Sequence, residues 1–180
     1  MLAWLKKHLK TPASFDGPMV ETSHFELRLS KAWVQEETHD PERFGFTSRD
    51  GSHITISSMA WALPADRLPD AATILMESRG RSLGEGLGGY KYEVSDLKVI
   101  PVPYPGIEVY ARGGAREIGY FSCTFALLTE GFVINLYVES PASSEKHNEA
   151  KFQVVMEGLG IKVPAAEAGD ASDASNAQGG

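Results

Sequence analysis

The sequence predicts an α+β fold, an antiparallel β-sheet with helices packed on it in the order ββββ-α-ββββ-α. Three observations carry this reading. Most segments from Phe25 to Ser57 and from Lys98 to Ser140 alternate apolar with polar residues, the period of a half-buried strand. Two segments, around 68–83 and 144–159, place apolar residues at helical spacing instead. The strands within each group are joined by short Gly, Pro and Asp turns, whereas parallel neighbours need a crossover of about a dozen residues or more.

The elements follow in order. Phe25, Leu27 and Leu29 alternate with Glu26 and Arg28. Strands are then expected at Trp33–Thr38 and Phe44–Ser48, with Arg49-Asp50-Gly51-Ser52 as a hairpin turn, because Asp-Gly readily supplies positive φ. Ile54 and Ile56 mark a fourth strand running through Met59. Leu68, Ala72, Leu75, Met76 and Leu83 form one helical stripe, with Pro69 tolerable in the first turn. Five glycines between 80 and 89 are expected to end that helix in a loop. Lys98–Val102, Ile107–Gly113, Glu117–Leu128 and Phe132–Ser140 are the second set of strands. A last helix starts at Ser143 or Ser144, natural N-caps, buries Phe152, Val155, Met156 and Leu159, and stops at Gly160.

At 180 residues the chain is sized for one domain, and 42% hydrophobic residues can build its core. Residues 1–19 are expected to be an N-terminal arm and linker, 20–163 the single α+β domain, and 164–180 a disordered tail without anchors larger than Ala. Residues 1–10 suggest a short amphipathic helix with Lys6, Lys7 and Lys10, and no secretory signal. The net charge is −7, of which the tail holds three acids and no base, so the body lacks the basic excess that nucleic acid requires. No apolar run reaches the roughly 18 residues of a membrane span. One cysteine excludes an internal disulfide and suits a reducing, cytoplasmic setting.

Gly84-x-Gly86-x-x-Gly89 has the letters of a dinucleotide motif but follows a helix and opens none, so it reads as a loop. Ser143-x-x-Lys146 lacks the companion motifs of serine–lysine enzymes and is read as a helix start. Cys123 points with Phe121, Phe125 and Leu127, which makes it core filler and not a nucleophile. His8, His24, His39, His53 and His147 show no metal-ligand spacing. No catalytic residue, metal or cofactor is assigned.

One constellation stands out. Alternation sets Tyr110 and Arg112 with Glu108, Tyr120 with Ser122 and Thr124, and Asn135 and Tyr137 with Glu139. His53, Thr55 and Ser57 alternate against Ile54 and Ile56 in the same way. If every apolar set faces one core, Tyr110, Arg112, Tyr120, Asn135 and Tyr137 gather on the opposite face as a candidate partner-binding surface. The competing reading is the solvated side of an antiparallel sheet, or a side covered by a helix.

The stretch Phe25–Ser57 reads Phe-x-Leu-x-Leu-Ser-x-x-Trp, then Phe-x-Phe-x-Ser-x-Asp-Gly, then Ile-x-Ile-Ser, before an amphipathic helix, a strand meander and a closing helix. Over residues 22–163 this resembles the PsbP-like superfamily, which spans PsbP subunits, Ran-binding Mog proteins, DcrB-type bacterial proteins and Eag chaperones. The resemblance implies an αβα sandwich and a non-catalytic binding role. The leading expectation is therefore a cytoplasmic, non-enzymatic protein-binding module, an adaptor or chaperone, with a type VI secretion setting as one version. Its partner is a protein, not nucleic acid, and a homodimer is allowed. The alternative is a small-molecule binder or unrecognised enzyme with a pocket near the Gly84–Tyr92 loop.

Overall fold

A computed structural model describes residues 14–102, 106–141 and 144–162. The helix expected at 1–10, the tail 164–180 and Ser143 lie outside the described residues. Among the described residues, ten strands and two α-helices run in the order β1 (Met19–Glu21), β2 (Phe25–Arg28), β3 (Trp33–Gln35), β4 (Arg43–Ser48), β5 (His53–Ala60), α1 (Leu68–Gly86), β6 (Glu93–Pro101), β7 (Gly106–Ala115), β8 (Tyr120–Thr129), β9 (Phe132–Ser140), α2 (Glu145–Glu157) and β10 (Leu159–Ile161). A seven-stranded antiparallel sheet has the order β3-β4-β5-β9-β8-β7-β6, and a three-stranded sheet the order β1-β2-β10. The fold is α+β with helices packed on antiparallel sheet, as the alternation and short turns predict.

The sheet separates two cores. Leu68, Ala72 and Met76 of α1 pack on Ile107, Val109, Ala111, Ala126 and Leu128. On the other face, Phe152, Val155 and Met156 of α2 join Phe25 and Leu27 of the small sheet over Ile54, Ile56, Phe125, Leu136 and Val138. The helices are offset: α1 lies over the β6–β8 part of the sheet and α2 over β8 and β9. The buried apolar residues of the central strands lie beneath the helix or sheet that covers them, whereas Val94, Leu97 and Val99 of β6 stay exposed. β8, shared by both, is buried without interruption from Ser122 to Thr129.

Several boundaries differ from expectation, for physical reasons. β1 and β10 exist only through pairing with β2, Val20 and Leu159 both facing Leu27, and three residues are too few to show alternation. The last helix ends at Glu157, not Gly160, and Leu159 belongs to β10. Helix α1 runs through Gly80, Gly84 and Gly86, held at its end by buried Leu83, and breaks only where Gly88 and Gly89 take φ of 68° and 94°. So Gly84 and Gly86 sit in the last helical turn, not in a loop; the negative dipole end there repels a pyrophosphate. β3 stops at Gln35, three residues short of the expected end. β6 begins at Glu93, earlier than expected, and Arg116–Ile118 form a 3₁₀ turn before β8. Ser144 caps α2, accepting from His147 N at 3.2 Å.

The predicted Arg49–Ser52 turn is present, with Gly51 at φ 79°. It also clamps α2: Asp50 accepts from Lys151 Nζ, from Ser48 Oγ at 2.5 Å and from Ser52 N at 3.1 Å. The Lys151 ammonium and the Ser48 hydroxyl hold the Asp50 carboxyl well below its usual range. Its stabilisation is complete above the ordinary carboxylate value of about 3.9 and fades as pH falls further. The side chain is half exposed, so Asp50→Asn should cost under about 1 kcal/mol at neutral pH. The variant's melting temperature should also fall less steeply than wild type between about pH 4 and pH 2. Parallel acid limbs for the two proteins would mean the carboxylate is not stabilised in the fold.

Candidate functional site

The predicted single face of five residues is split by the sheet. Register places Thr55 opposite Tyr137, Ser57 opposite Asn135 and Tyr137 opposite Thr124. Tyr120, Asn135 and Tyr137 thus share the α1 side with His53 and Thr55. Tyr110 pairs with Phe125 and Arg112 with Cys123, which puts both on the α2 side. The expectation assumed one core. In β7 the apolar residues Ile107, Val109 and Ala111 serve the α1 core, so the polar set of that strand points the other way.

On the α1 side, Arg79 of α1 lies 3.8 Å above the centre of the Tyr137 ring and donates to Glu139. Tyr92, in the segment leading from α1 to β6, hydrogen-bonds Ser122 Oγ at 2.6 Å. Burial, then the neighbouring Glu139 carboxylate, pushes the Tyr120 phenol above its usual range, and burial does the same to Tyr137 and Tyr92. Tyr120 and Tyr137 are half-buried members of a helix–sheet contact, not an open recognition surface. The buried Asn135 Oδ1 has no partner among the described residues. Further along the same side, His53 Nε2 meets Glu36 at 3.0 Å over β4 and β5.

On the α2 side, the offset of the helix leaves part of β6 and β7 uncovered. The gap is a cavity of about 230 Å³. Ile100, Tyr110, Cys123 and Phe152 supply its apolar wall, while Asp96, Lys98, Glu108, Arg112, Glu149 and Gln153 edge it. Arg112 straps the cavity across one end, donating to Asp96 at 2.8 Å and pairing with Glu149 of α2 at 3.1 Å. The bond from Arg112 holds the Asp96 carboxyl below its usual range, and the same bond raises Arg112. Tyr110 donates to Glu108 at 3.0 Å, and Lys98 lies 3.4 Å from Asp96.

Cys123 sits in the cavity wall, 3% exposed, with Asn148 Nδ2 at 3.3 Å from its sulfur. Burial, then the Glu149 carboxylate, pushes the thiol up to about 12, so it stays protonated and unreactive at neutral pH. The apolar setting read from Phe121, Phe125 and Leu127 has this consequence. Among the described residues no cluster of three metal-ligating side chains occurs, and no helix is long and apolar enough to cross a membrane.

Sequence reading missed Asp96, Lys98, Ile100, Glu149 and Gln153 as companions of Tyr110 and Arg112. A signal existed. Asp96, Lys98 and Ile100 alternate against Leu97 and Val99, but starting β6 at Lys98 cut Asp96 away from the pattern. The small-molecule alternative placed its pocket beside Gly84–Tyr92; this cavity lies on the other side of the sheet.

No family model and no curated protein matches the sequence. Among solved structures, the chain is similar to the solution structure of cyanobacterial PsbP (CyanoP) from Synechocystis sp. PCC 6803. That likeness has a TM-score of 0.57 and 12% sequence identity, and covers 78% of this chain and 88% of that one. A crystal structure from Bacteroides thetaiotaomicron VPI-5482 also matches, with a TM-score of 0.46, 14% identity, and coverage of 77% of this chain and 45% of that one. Strand order, the two-sided packing of helices and the likeness to CyanoP agree on the architecture: this chain has a PsbP-like fold.

Proposed function

We propose that the protein is a non-enzymatic binding module, an adaptor or chaperone, that takes an extended segment of a protein partner along the free edge of β6. One observation carries the reading. Among the described residues, β6 is a nine-residue strand with a neighbour on one side only, and its Val94, Leu97 and Val99 are 47–48% exposed. A long apolar edge offers backbone donors and acceptors for an added strand and side chains to pack against it. The opposite edge, β3, has three residues and offers far less. The groups around the cavity support a binding role over a catalytic one, because the Arg112, Asp96, Glu149, Tyr110 and Glu108 side chains bond one another and the Cys123 thiol is protonated.

The test is recovery of the partner from the native cell with tagged wild type and with the double variant Leu97→Arg, Val99→Arg. Both positions are half exposed, so the variant should keep its melting temperature within about 4 °C, the effect of roughly 1 kcal/mol in a domain this size. The expected result is a stoichiometric protein recovered with wild type and reduced at least tenfold with the variant. Equal recovery, or no stoichiometric partner with wild type, overturns the reading.

A further inference from the structure

We propose that the cavity between β6–β7 and α2 is a binding site for a neutral small molecule built on one aromatic ring system. It is a second site, independent of the β6 edge reading. Size comes first. An apolar cavity of about 150 Å³ is enough to admit benzene. At about 230 Å³, this one holds a substituted ring or a small bicycle.

Wall chemistry narrows the class. The Tyr110 and Phe152 rings, the Ile100 side chain and the Cys123 sulfur give an aromatic guest ring-edge and sulfur contacts, each favourable beyond simple burial. Water finds few partners against these groups, so an apolar guest displaces solvent that is poorly held.

The charges then exclude ionic guests. Three carboxylates (Asp96, Glu108 and Glu149) face two cations (Lys98 and Arg112) around the cavity, an excess that repels a carboxylate or phosphate. A cationic amine does no better. Asp96 and Glu149 are engaged by Arg112, and Glu108 accepts from Tyr110, so an ammonium group would have to displace bonds already made. A guest with one neutral donor or acceptor, such as a phenol hydroxyl or an indole N–H, loses least at the polar edge.

The full chain should therefore show saturable binding of phenol and indole in ligand-observed NMR, competing with each other. Benzoate and benzylamine should bind at least tenfold more weakly. Ile100→Trp, which fills the cavity from its β6 wall, should weaken indole at least tenfold. If circular dichroism shows that this variant does not fold, Gln153→Trp from the α2 side is read in its place with the same expectation. Three results overturn the proposal: no saturable signal from phenol or indole, equal binding of the charged analogues, or unchanged indole affinity in the folded filled variant.

Discussion

Phe152→Ala should lower the free energy of unfolding by about 3–5 kcal/mol, among the largest effects of any single truncation in this chain. The ring is 8% exposed and belongs to the core that α2 closes over the main sheet with the small sheet beside it. It also borders the 230 Å³ cavity, so removing it merges new space with old, and the surroundings cannot collapse over both. In a domain this size the loss appears as a fall of about 10 °C in melting temperature. Denaturant titration measures it directly, and Phe152→Leu should recover most of the loss. A change below about 1 kcal/mol would mean that the ring is not packed.

Gly158→Ala should be nearly as damaging, for an unrelated reason. Gly158 follows α2 with φ −86°, a conformation any residue adopts, so backbone strain is not the issue. Close approach is. A Cβ there would lie 2.0 Å from the Arg28 carbonyl oxygen and 2.9 Å from the Phe15 ring. The first contact is with backbone that is itself tied down, since Arg28 N donates to Gly158 O at 3.0 Å, β2 pairs with β10 from Leu27 opposite Leu159 onward, and Arg28 also pairs with Met19 of β1. Relief requires α2 and the small sheet to separate, at a cost of about 2–4 kcal/mol in denaturant titration. The contrast is Gly84→Ala, in open space inside α1, which should stabilise by up to about 1 kcal/mol through helix propensity. Equal effects at the two glycines would mean that the α2–β2 approach is looser than described.

Much of the fold was readable because alternation and helical spacing report burial on one face. Phe25 and Leu27, Ile54 and Ile56, and Phe152, Val155 and Met156 all lie in the core where their spacing put them. Alternation does not say which face is which core. Ile107, Val109 and Ala111 alternate as regularly as Ile134, Leu136 and Val138, yet the first set packs under α1 and the second under α2. That ambiguity divided the predicted surface: the three strands β5, β8 and β9 do align their polar residues, and β7 turns Tyr110 and Arg112 to the other side. The cavity companions were hidden for a different reason. Asp96 faces Arg112 across the β6–β7 pairing and was lost with the start of β6, whereas Glu149 reaches Arg112 only when α2 crosses the sheet, a long-range fact that local spacing does not encode.

β8 has a consequence for how the molecule comes apart. Its odd positions Cys123, Phe125 and Leu127 belong to one core, its even positions Ala126 and Leu128 to the other, and strands pair along both of its edges. Neither layer can therefore melt and leave the other standing on an intact strand, because the loss of either removes half the burial that holds β8 in place. The two cores are thermodynamically one cooperative unit. Heat or denaturant should take the chain through a single all-or-none transition, with calorimetric and van't Hoff enthalpies in agreement.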